Sequence, residues 1–65
     1  MSNEEKVLGV LKDAGDWLML NQVANRAGIS RVTASKFLYV LVERGVVETK
    51  KFASAQLFRA KEAKA

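Results

Sequence analysis

The segment LNQVANRAGISRVTASKFLYVLVERG, residues 20–45, carries the pattern from which the fold is read. Leu20, Val23, Ala24 and Ala27 recur at helical spacing and predict a short helix over Leu20–Ala27 with one apolar face. Gly28 ends that helix, because the left-handed backbone wanted just past a helix is easy for glycine. Ile29 follows as an apolar plug beneath the turn, and Ser30 is a good N-cap for the next helix. That helix is predicted over Arg31–Arg44, stopped by Gly45. Ala34, Leu38 and Leu41 centre its buried face, with Phe37 on the flank. Ala24 falls where the two helices approach most closely, a place for a small side chain.

Upstream, Ser2 and Glu5 have the spacing of a capping box, and Val7, Leu8, Leu11 and Ala14 continue as a helical stripe. A first helix is therefore expected over residues 3–14, ended by Gly15. Asp16–Met19 is too short for a helix and reads as an extended connector or a minimal strand. Trp17 is expected in the core, sealing the sheet against the first helix. Met19 stands where Ser or Thr commonly caps a helix, which predicts a weaker start for the helix after it. Downstream, Val46–Lys50 and Gln56–Ala60 are β-prone and predict a hairpin, whose loop is unusual in holding no glycine. Phe52 in that loop is expected to pack down. The whole is one domain over residues 1–60, with a polar tail over 61–65.

Composition narrows the chemistry. The chain has 65 residues, of which 49% are apolar, and it contains neither cysteine nor histidine nor proline. No disulfide framework is available, and the commonest general base and metal ligand are missing. The serines have no histidine partner, the carboxylates show no metal-binding spacing, and no glycine-rich phosphate loop occurs. An enzyme is not expected, nor any cofactor or metal. The longest apolar run, Phe37 to Val42, falls far short of the ~20 residues that span a bilayer. The polar, acidic start shows no secretory signal, so a cytoplasmic module without a membrane partner is expected. The net charge of +4 is unevenly spread. Glu4, Glu5, Asp13 and Asp16 outweigh Lys6 and Lys12 up to residue 16, whereas nine cations face three carboxylates beyond it. Such a one-sided basic surface attracts polyanions, nucleic acid foremost.

Helix, short helix, tight turn, longer helix and basic hairpin, in that order, resemble the winged helix-turn-helix family of DNA-binding proteins. The resemblance runs from Leu20 to Gly45 and on through Val46-Val47, the basic loop and Leu57-Phe58-Arg59 as the wing. It implies a mainly α fold of three helices with a small C-terminal two-stranded β-hairpin. It also implies that helix 31–44 enters the major groove of double-stranded DNA. By 100° steps, Val32, Ser35, Lys36 and Tyr39 lie opposite the buried face, with Arg31 and Thr33 in the first turn. Carried over, the contacts expected on this helix are Ser30, Arg31, Val32, Thr33, Ser35, Lys36 and Tyr39. Arg31 would address guanine, and Val32 or Thr33 a thymine methyl. Lys50, Lys51 and Arg59 of the wing would touch the flanking backbone. A small transcriptional regulator or chromosome-associated factor is the reading this supports. The alternative is RNA binding, since residues 43–59 are also similar to a winged-helix protein of the small ribosomal subunit, or docking in a larger assembly. Tyr39 and Val40, apolar where the family commonly carries polar residues, point to a homodimer or a protein partner.

Overall fold

The computed structural model describes residues 2–61. Its order is α1 (Asn3–Ala14), β1 (Leu18–Met19), α2 (Leu20–Ala27), α3 (Arg31–Glu43), β2 (Val47–Phe52) and β3 (Ala55–Ala60). Each helix begins and ends as its flanking residues dictate. The Ser2 hydroxyl accepts from the Glu5 N–H at 3.2 Å, and the Ser30 hydroxyl accepts from the Thr33 N–H at 3.1 Å. At the end of α2, Gly28 adopts φ +73°, and the N–H groups of Gly28 and Ile29 both donate to the Ala24 carbonyl. That double closure turns the chain sharply enough for α3 to start at once. α3 runs one residue less than expected, since Arg44 is its cap and Gly45 takes the left-handed position at φ +80°.

The extended connector is a strand. β1 pairs antiparallel with β3, Leu18 opposite Phe58, so the hairpin grows into a three-stranded sheet of order β1-β3-β2. Met19 ends β1 and caps α2 at once. It has no side-chain oxygen to offer, and instead its N–H donates to the Gln22 side-chain carbonyl at 2.8 Å. The hairpin is longer than expected and closes through Ala53 and Ser54, between Phe52 and Ala55. Ala53 takes the positive φ, +57°, that a tight hairpin turn demands and that glycine or asparagine usually supplies.

The core lies between the helices and one sheet face. Val7 and Leu11 of α1, Val23 of α2, Leu38 and Leu41 of α3 and Leu18, Val47, Phe58 and Ala60 of the sheet form one buried cluster. Ala24 and Ala34 are buried as expected, and Phe37 and Val42 pack half-buried on its edge. No side-chain N or O is buried without a partner among the described residues. An Arg44–Glu4 ion pair ties the end of α3 to the first turn of α1.

Two aromatic expectations fail. Trp17 precedes Leu18 by one residue, and side chains alternate along a strand, so it emerges on the sheet face away from the helices. There it lies under Lys50 Nζ, 4.4 Å from its ring centroid, and the Arg59 guanidinium carbon, 4.5 Å away. Phe52 does not pack down either. It alternates with Glu48 and Lys50 onto the sheet face away from the helices and is 69% exposed. Of the expected polar tail, Lys61 donates its N–H to the Val46 carbonyl, and residues 62–65 lie outside the described residues.

Candidate nucleic-acid interface

The solvent side of α3 is set by its buried stripe. With Ala34, Leu38 and Leu41 turned inward, Arg31, Val32, Lys36, Tyr39 and Val40 are exposed and Ser35 is half-buried. Val32 stands out at 81% exposure. The first turn of α3 carries no acidic residue, whereas α1 has Glu4 and Glu5 in its first turn. A carboxylate there would stabilise the positive helix end; Arg31 does the opposite and leaves that end open to an anion from outside. Ser30 and Thr33 are committed locally. The Ser30 hydroxyl donates to Thr33 Oγ1 at 3.0 Å while accepting the Thr33 N–H, so both side chains serve the cap.

Tyr39 is held by the wing. Its ring meets Phe58 edge-on, with centroids 6.5 Å apart and planes at 88°. Its hydroxyl lies 3.5 Å from Gln56 Oε1, and Gln56 in turn donates to Thr49. Between α3, the start of α2 and β3 opens a cleft of about 290 Å³, lined by Asn21, Arg31, Ser35, Tyr39 and Gln56 among others. Of the sequence-derived residues on α3, Arg31, Ser35 and Tyr39 are thus brought together around one opening, whereas Ser30, Val32, Thr33 and Lys36 do not line it.

The wing residues are split. In the β2–β3 register Val47 faces Ala60, Thr49 faces Phe58 and Lys51 faces Gln56, so this set shares the helix side of the sheet. Glu48 with Arg59, Lys50 with Leu57 and Phe52 with Ala55 occupy the other side. Lys51 therefore projects toward the side of α3. Lys50 projects away from it, onto Trp17. Arg59 donates from Nε to Glu48 Oε2 at 2.8 Å and lies over the same indole. Gln56, which contacts Tyr39 and lines the cleft, was not singled out from sequence. Its only signal is strand alternation once the register with Lys51 is known.

A helix-turn-helix closed by a three-stranded sheet, with an exposed α3 beside a basic hairpin, defines the winged helix-turn-helix class of DNA-binding proteins. Within that class, the IclR helix-turn-helix domain matches residues 6–51, and the chain belongs to that family. No curated protein sequence matches it. Among solved structures, it is similar to the Zalpha domain of Carassius auratus PKZ in complex with Z-DNA. That likeness has a TM-score of 0.79 at 19% identity, over 91% of this chain and 92% of that one. It is also similar to Sso10a-2, a DNA-binding protein from Sulfolobus solfataricus, with a TM-score of 0.79 at 24% identity, over 95% of this chain and 65% of that one. The adhesin competence repressor AdcR of Streptococcus pyogenes gives a TM-score of 0.80 at 20% identity, over 95% of this chain and 47% of the repressor. No helix among the described residues is long and apolar enough to cross a membrane.

Proposed function

We propose that this chain binds double-stranded DNA, as a small transcriptional regulator or a chromosome-associated factor of the cytoplasmic nucleoid. The observation that carries the reading is the grouping of Arg31, Ser35, Lys36 and Tyr39 on the free side of α3, with Lys51 of the wing on the same side. α3 would lie in the major groove, where Arg31 reaches a guanine edge, while Ser35, Lys36 and Tyr39 meet phosphates or base edges. Lys51 would sit on the flanking backbone. Ser30 and Thr33 would then act by capping α3 and presenting its first turn, with the Ser30 backbone nearest a phosphate. Lys50 and Arg59 would brace the wing through Trp17, on the sheet face turned away from the DNA. A second copy would meet the first through Val40, 38% exposed beside Tyr39, and set two α3 helices about 34–36 Å apart on one DNA face.

A selection that offers random duplex DNA, alternating dC–dG duplex, single strands and structured RNA in one pot tests the reading. Enrichment of duplexes sharing a motif is expected. Enrichment of RNA, or an affinity of about 10⁻⁴–10⁻⁶ M on every duplex recovered, would reject sequence-reading of DNA. Sedimentation of the free protein tests the second copy: a monomer at all concentrations removes it.

A further inference from the structure

The sheet has one long open edge. β1 is two residues long and runs straight into α2, so that edge belongs to β2. The Lys61 N–H donates to the Val46 carbonyl at 2.9 Å, which fixes the phase of the β2–β3 ladder. Glu48, Lys50 and Phe52 therefore direct their backbone groups to β3, and Val47, Thr49 and Lys51 turn N–H and C=O outward. No helix or loop backbone group among the described residues bonds to those outward groups. Such a row is a template for a further strand. Two exposed apolar residues flank it on the sheet face away from the helices, Val46 at 37% and Phe52 at 69%.

Edge lysines normally repel a second strand, but here they select one. When two copies of β2 pair antiparallel about a twofold axis, outward groups must meet outward groups, so only every second register is allowed. The register with Thr49 opposite Thr49 uses all three outward residues of each strand and makes six backbone hydrogen bonds. It places Glu48 of one copy opposite Lys50 of the other and Val46 opposite Phe52, each pair twice by symmetry. The neighbouring allowed registers make four such bonds and set Glu48 against Glu48 or Lys50 against Lys50. At one register, then, the strand is complementary to itself in charge, apolar surface and hydrogen bonding.

We propose that the β2 edge seats a second copy of this chain, joining the two sheets into one of six strands. This interface is separate from the Val40 contact and independent of the DNA reading. Lys50→Glu sets carboxylates opposite each other across it, and Glu48→Lys sets ammonium groups opposite each other. Each variant alone should associate at least about tenfold more weakly than wild type in sedimentation. Mixed in equal amounts they should recover association as a one-to-one heterodimer, because an acidic strand then faces a basic one. The chain has no cysteine, so Thr49→Cys adds a single thiol and serves even if a charge variant does not fold. Its Cα atoms would stand about 5.5 Å apart across the axis, within the ~4.4–6.8 Å that a disulfide spans, so mild oxidation should cross-link it. A wild-type protein that is monomeric at all concentrations overturns the proposal. So do charge variants that associate like wild type, a mixture that recovers nothing, or a dimeric Thr49→Cys protein that does not cross-link. A dimer held through Val40 alone would give those last three results. None of these outcomes bears on DNA binding, which the duplex selection reads separately.

Discussion

Neighbouring lysines on the wing face opposite ways, and their removal should have opposite consequences. Lys51 shares the helix side of the sheet with Gln56, whereas Lys50 lies on the far side, 4.4 Å from the Trp17 ring. If DNA lies along α3, the cations on that side are Arg31, Lys36 and Lys51. With Arg31 on a guanine edge, Lys36 and Lys51 neutralise two phosphates, which would give a slope of log affinity against log salt of about −1.8, or a loss of about 12-fold between 50 and 200 mM salt. Lys51→Ala removes one of them, so the slope should fall to about −0.9 and the loss over the same range to about 3.5-fold. Lys50→Ala should keep the wild-type slope. Its effect should appear instead in urea unfolding, because an exposed cation–π contact is worth about 0.5–1 kcal/mol and Lys51 makes none. Anisotropy titrations on one labelled duplex at several salt concentrations give the slopes. Equal slopes for the two variants, or an unchanged slope for Lys51→Ala, would show that DNA does not dock on the α3 side.

Two glycines test the turn. At Gly28, φ is +73° and an added Cβ meets nothing within 4 Å, so Gly28→Ala should cost about 1–2 kcal/mol from backbone strain alone. At Gly9, inside α1 and equally open, Gly9→Ala should stabilise by about 0.5–1 kcal/mol, and denaturant midpoints moving in opposite directions would check both. Phe58→Ala empties the centre of the middle strand and should cost about 3–5 kcal/mol. That is comparable with the ~3–10 kcal/mol expected for a whole domain of this size, so its calorimetric transition should be lost or greatly lowered.

The helices were legible because their boundaries are written in local chemistry. Ser2, Gly28, Ser30 and Gly45 act within a few residues of themselves, and the Ala34–Leu38–Leu41 stripe needs only the helical period. The exposed residues of α3 followed from the same period, and so did the free face around Arg31 and Lys36. The sheet was less legible because its faces depend on register, which is set between strands far apart in sequence. Trp17 looked like core because large aromatic residues usually are, but a two-residue strand is too short to show which face it takes. Only the pairing of Leu18 with Phe58 decides it. The hairpin end was misplaced for a different reason. Ala53 carries a backbone angle that its residue type does not advertise, so the turn left no mark in the sequence. The same register separates Lys50 from Lys51, which two adjacent lysines in a string of letters cannot reveal.

The position of β3 also orders how this molecule can be made. It lies between β1 and β2 yet follows both along the chain, so neither outer strand has a partner until β3 has been synthesised. On a ribosome adding about 5–20 residues per second, the three helices emerge first and can meet through Leu11, Val23 and Leu38. Phe58 and Ala60 arrive last and close the core from the sheet side. The surface that Tyr39 shares with Phe58 therefore comes into being at the final step of assembly. A chain ending before residue 58 would carry α3 without the edge-on Phe58 contact to Tyr39.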